Sequence, residues 1–118
     1  MPAAYQELFV EQGTTFNTTI TLDDVDGVPY DLTGFQSKGQ IKKSYYSANT
    51  TANFNIIITV PTNGQITLNL AANTTANIAA GRYVYDVAIK DTSSNVTRVL
   101  EGIVNILPQV TEIGRAHV

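Results

Sequence analysis

A chain of 118 residues with 43% apolar character has room for one domain, and enough surface to bury a two-layer core without covalent staples. It has no cysteine, which excludes disulfides, thiolate nucleophiles and thiolate metal sites. Its net charge is −3 and its seven basic residues form no dense patch, which argues against a nucleic-acid partner. The longest apolar run, IIITV, is far too short to span a bilayer. The first residues also lack a basic-then-apolar signal pattern, so no membrane partner is expected.

Sixteen threonines with many Val and Ile favour pleated, half-buried surfaces, and period-two alternation recurs almost throughout. YQELFVEQ sets Leu8 and Val10 against Glu7 and Glu11. TTFNTTITLDD alternates Phe16, Thr18, Ile20 and Leu22 with Asn17, Thr19, Thr21 and Asp23. FQSKGQIKK turns Phe35, Ser37, Gly39 and Ile41 inward. FNIIITV does the same with Phe54, Ile56, Ile58 and Val60, and GQITLNL with Ile66, Leu68 and Leu70. RYVYDVAIK offers Tyr83, Tyr85, Val87 and Ile89, and TRVLEGIVNI offers Leu100, Val104 and Ile106. DDVDGVPYDLTG, PTNGQ and DTSSN supply turn chemistry, and YYSANTTAN reads as a flexible polar loop. AANTTANIAAG offers one helical turn, with Asn73 as its cap and Gly81 as its end. The pattern predicts an all-β antiparallel sandwich of about seven strands.

In NIAAGRYVYDV, Gly81 stands two residues before Tyr83, and a second inward residue, Tyr85, stands two after it. Immunoglobulin-like domains show the same arrangement at the turn into their sixth strand, where the Tyr hydroxyl bonds to upstream backbone. The position of Tyr85 is there often half of an inter-sheet disulfide, so an antibody-type domain is excluded. Tyr83 is expected to be buried, with its hydroxyl satisfied by backbone between Asn77 and Ala80. The plain alternative makes both tyrosines aromatic core residues.

The last six residues, IGRAHV, followed by termination, resemble a translated sequencing adapter. The expectation is one domain over residues 1–112 and a foreign tail over 113–118. Without Arg115 the balance is six basic against ten acidic residues, a net charge of −4. The only histidine, His117, leaves with the tail.

Without Cys or a native His, nucleophilic triads lose their usual base and His-based zinc sites their ligands. Asp23, Asp24, Asp26 and Asp31 cluster in LDDVDGVPYDL as weak Ca²⁺ candidates. They lack the regular spacing and closing Glu of a helical Ca²⁺ loop, and a structural turn explains them better. Asp86 and Glu101 are placed to meet Arg82 or Arg98 across a ladder as ordinary solvated pairs. Four Asn-x-Thr sequons, at Asn17, Asn49, Asn73 and Asn95, are what a chain rich in Asn and Thr produces by chance. No catalytic residue and no cofactor is implied.

QGTTF, DDVDGVPYDLTG, GQITLNL, GRYVYDVAI and VTRVLEGIVNI in that order, followed by VT, resemble the small immunoglobulin-like domains of tailed-bacteriophage tail, baseplate and fibre-attachment proteins. The N-terminal domain of upper baseplate proteins is the nearest such family, and the resemblance spans Gln12 to Thr111. It rests on turn and core residues, so it carries over a scaffold and no catalytic position. It implies a non-enzymatic structural protein of the virion, made in the host cytoplasm, with other virion proteins as partners and a homo-oligomeric state. NFNIIITV carries no charge and Ile57 points away from Ile56 and Ile58, which marks Ile57 as an interface candidate, with the N-terminal segment MPAAYQEL as a docking arm. The alternative is a carbohydrate-binding or host-adhesion module that stacks surface glycans on Tyr45 and Tyr46.

Overall fold

Alternation of period two becomes nine strands among the residues that the computed structural model describes, 4–23 and 27–109. They are β1 (Ala4–Tyr5), β2 (Leu8–Glu11), β3 (Phe16–Thr21), β4 (Gln36–Lys42), β5 (Ala52–Asn53), β6 (Asn55–Val60), β7 (Gln65–Leu70), β8 (Gly81–Lys90) and β9 (Val96–Leu107). All seven predicted strands are present. The two additional ones are two-residue segments. One splits the N-terminal strand at Gln6–Glu7, and the other precedes β6. Asp24, Asp26, His117 and the predicted tail over 113–118 lie outside the described residues.

The larger sheet runs β9–β8–β4–β5, with β1 and β2 both pairing on the far side of β9; the smaller runs β3–β7–β6. Matched to an immunoglobulin sandwich, β3, β7 and β6 take the places of strands B, E and D, and β4, β8 and β9 those of C, F and G. The sandwich is antiparallel as expected, with one parallel pairing at its edge. Leu8 faces Val104 and Val10 faces Ile106 in parallel register, because the N-terminal arm joins the larger sheet beside the last strand. Parallel neighbours demand a long connection, and here the whole intervening chain supplies it.

The inner faces meet as predicted. Tyr85, Val87, Ile66, Leu68, Val104 and Val10 are fully or almost fully buried. Val99 is buried as well, which alternation did not foresee. The register slips between Val87 and Ala88, so two successive β9 residues, Val99 and Leu100, turn inward at a bulge. β5 and β6 form one strand that changes sheets: Ala52 faces Ile41 on the larger sheet, whereas Ile56 faces Leu68 on the smaller. Phe54 lies at the crossing, where its N–H donates to the Gly39 carbonyl and its ring meets Tyr85 edge-on at 5.7 Å. Gly39 makes room for it, since a Cβ there would press on Phe54, Ile56 and Val87.

The short helix α1 (Ala72–Ala76) corrects the assignment of caps. Ala71 is its N-cap and offers no side-chain bond, Asn73 lies inside the helix, and Asn77 ends it. Gly81 opens β8 instead, at a φ of 148° that side chains rarely adopt. The aspartate-rich loop hangs from two buried leucines: Leu22 N–H donates to Gly64 and Leu32 N–H to Pro61. The β8–β9 hairpin is closed by Asp91, whose carboxylate accepts from the Asn95 and Ser93 N–H groups and from the Asn95 amide.

These bonds hold the Asp91 carboxyl below its ordinary value of 3.8, chiefly through Asn95. The side chain and N–H of Thr33 do the same for Asp31. A depressed folded-state pKa adds stability above the unfolded value and loses it as the pH falls through the folded one. Denaturant midpoints should therefore stay level from pH 7 to about pH 5 and fall below pH 4. Asp91→Ala should lower the neutral plateau and shrink the acid drop; an unchanged drop would mean that this loop does not contribute to it.

Candidate interaction surfaces

At the turn into β8 the Tyr83 side chain is buried and its hydroxyl donates to the Ala79 carbonyl at 2.7 Å, within the stretch named from sequence. The Lys43 ammonium sits 4.8 Å from the centre of the same ring. Tyr83→Phe is expected to cost about 1 kcal/mol, the usual net worth of such a bond. Urea denaturation would read it, and a neutral substitution would mean the hydroxyl contributes nothing.

Tyr85 makes a contact that sequence did not suggest. Its hydroxyl donates to the Gln6 carbonyl at 2.6 Å, pinning the N-terminal arm from beneath. Burial, with a smaller effect from Tyr5, pushes this phenol well above its ordinary range, so it stays a donor at neutral pH. The arm reaches inward there because Gly102 has no side chain: a Cβ at that position would collide with the Gln6 carbonyl. An isolated glycine inside the β9 pattern was the available signal for so close an approach. On its outer side the arm exposes Tyr5 and Phe9, opposite Glu101 and Asn105.

The two outer faces differ in chemistry. On the larger sheet, Arg98 bridges Asp86 at 3.3 Å and Glu101 at 3.5 Å; Arg82 takes no part in these pairs. Both bridges are solvated and worth tenths of a kcal/mol to about one. Beside them Gln40, Lys42, Tyr45, Val84, Asp86 and Arg98 line an open groove of about 230 Å³. Tyr45 is 62% exposed at its rim, while Tyr46 is 98% exposed and not among its walls. A second, wider depression of about 350 Å³ lies farther along the sheet, against Lys38, Ala88 and Val96.

The smaller sheet carries no charge at all. FNTTIT, NIIITV and QITLNL contain neither acid nor base, although 14% of the chain is charged. Its outer face is a ladder of short polar side chains: Asn17, Asn69 and Asn55 in one row, Thr19, Thr67 and Ile57 in the next. Thr19 and Thr67 hydroxyls bond at 3.0 Å, and the Asn69 amide donates to Asn17 at 2.7 Å. Ile57, half exposed, is the single large apolar side chain in this array. Both edges of the sheet, β3 and β6, are open among the described residues.

Of the predicted cation loop, Asp31 spends Oδ1 on Thr33, and Asp23 is exposed beside its backbone bridge to Pro29. Among the described residues no three acidic or imidazole side chains come together as a metal site, and no helix is long and apolar enough to cross a membrane.

No family model matches the chain, and no curated protein matches it. Solved structures do share its fold. CopC from Methylosinus trichosporium OB3b aligns over 95% of this chain and 92% of its own, at 10% identity and a TM-score of 0.50. The N-terminal domain of phage TP901-1 ORF48 aligns over 89% of this chain and 86% of its own, at 11% identity and a TM-score of 0.50. At such identities the likeness shows the fold alone. One neighbour is a domain of a phage protein and the other is not, so the fold does not choose between their roles.

Proposed function

We propose that the chain is a structural protein of a tailed-phage virion, an immunoglobulin-like adaptor in the tail, baseplate, neck or fibre attachment that acts by protein–protein binding. The observation that carries this reading is the smaller sheet, with no charge on either face and two open edges. A sandwich that works alone guards such edges with charge along the strand, because an unguarded strand recruits another; β3 and β6 carry none, and the bulge and Pro61 guard only the C-terminal end of β6. The phage-domain neighbour fits this reading, although CopC shares the fold equally well, so the sheet and not the likeness carries it. Partners would be other virion proteins and further copies of the chain; the reading requires no turnover, cofactor, nucleic acid or membrane.

Co-expression with the tail and baseplate proteins encoded beside it tests the proposal. A discrete complex in size-exclusion chromatography and negative-stain images is the expected result. Elution as a lone monomer in the presence of every such partner would overturn it.

The Tyr45 groove favours a second reading, a carbohydrate-binding or host-adhesion module. An exposed aromatic ring beside Gln40, Lys42, Asp86 and Arg98 pairs a stacking surface with hydrogen-bonding groups. Glycan-array binding that disappears in Tyr45→Ala would select it.

A further inference from the structure

We infer that two copies of the chain pair through β6, antiparallel and centred on Ile57, so that their smaller sheets become one continuous six-stranded sheet. This deepens the assembly reading above, rests on it, and commits to a second copy as the occupant of that edge.

The register follows from the side chains. A two-fold axis perpendicular to the sheet keeps inner faces together, so inward residues must oppose inward ones. Centring on Ile57 sets Ile57 against itself, Ile56 against Ile58, and Asn55 against Thr59. Apolar then meets apolar on both faces, and polar meets polar. Moving the centre to Ile56 would set Asn55 against Ile57. Moving it to Ile58 would set Ile57 against Thr59. Of the three, only the Ile57 register opposes like with like, and its last pair reaches the bulge at Thr59.

Three observations point to a second copy. An isologous contact sets residues near its axis against themselves or close neighbours of the same strand, and this strand has no charge to repel. Ile56 and Ile58 are only partly buried although they face the core, so one side of each awaits cover. Ile57 is 51% exposed at the middle of an open edge, where the axis would seal it against its twin. The contact is short, limited by the bulge and by Pro61. Alone it would bury less than the ~1,200 Å² of a stable dimer, which suits a contact repeated within a larger assembly.

The absence of cysteine makes the test clean. Opposed residues of an antiparallel pair lie about 4.5–5.5 Å apart at Cα, within disulfide reach. Ile57→Cys should therefore form a covalent dimer under mild oxidation at least tenfold faster than Thr19→Cys, on the opposite open edge. Ile57→Lys should weaken concentration-dependent dimerisation in sedimentation at least tenfold, with an unchanged melting temperature. Equal cross-linking of the two cysteine variants would overturn the pairing, and so would wild-type dimerisation of Ile57→Lys. If Ile57→Lys fails to fold, the cysteine pair decides alone. A complex with virion partners but no β6 cross-link sinks this inference and spares the adaptor reading. The cross-link without any virion partner does the reverse.

Discussion

Gly102→Ala should lower the melting temperature by about 10 °C and release the N-terminal arm. The residue lies on the inner face of β9 opposite Tyr85, and the added methyl would meet the Gln6 carbonyl and the Tyr85 ring. The first obstacle is backbone, which cannot swing aside as a side-chain tip can. Gln6 is also tied down twice: its N–H donates to Glu101 at 3.0 Å and its carbonyl accepts from Tyr85. Lifting it forfeits about 1 kcal/mol for the phenol bond, and overpacking adds about 1–3. For a domain of this size that total corresponds to roughly 10 °C. Thermal melts would read the stability, and amide exchange at Gln6 to Val10 the release of the arm. Unchanged values for both would mean that the arm tolerates the methyl.

Tyr85→Ala is the most damaging single change expected, about 4 kcal/mol, in the range for a truncated buried aromatic. It removes the edge-on contact with Phe54, the bond to Gln6 and the volume between the sheets at once. Tyr85→Phe separates these losses: it keeps the ring and leaves the Gln6 carbonyl without its donor, for about 1–2 kcal/mol. Because Gly102→Ala and Tyr85→Phe both act on Gln6, their effects should not add. The phenol has its own signature. Its pKa is raised above the ordinary 10.0, so its contribution is complete below that pH and declines as the pH rises further. Absorbance titration should find one tyrosine that ionises after the others, absent in Tyr85→Phe; a single common transition would contradict the burial described for it.

Most of the sandwich was legible because one face of each strand had to be apolar. Tyr83 to Ile89 needed nothing beyond alternation, and the Gly81–Tyr83 spacing marked the corner where the hydroxyl finds Ala79. Val99 was not legible, since a bulge is a property of two strands, and nothing in β9 alone says where β8 will slip. The parallel course of the arm was hidden for a similar reason: Leu8 and Val10 read the same whichever neighbour they join. The uncharged face could be read only in part. NIIITV revealed its neutrality, but the common sheet with FNTTIT and QITLNL appears only once β7 is seen between them. The groove at Tyr45 draws on β4, β8, β9 and a loop, and no local pattern announces a site assembled from four segments.

The parallel lie of the arm on β9 has a mechanical consequence. A pull on the N-terminal side of Ala4 and another on the C-terminal side of Leu107 would act along the same pair of strands in opposite directions. The ladder from Ala4–Leu100 to Glu11–Leu107 would then be sheared as a whole, with its hydrogen bonds strained together. An antiparallel hairpin pulled from its open end would instead unzip one bond at a time. Held by its two ends in a chain of connected parts, this domain would resist tension with all of that ladder at once, while the Tyr85 phenol bolts the same strand from the side.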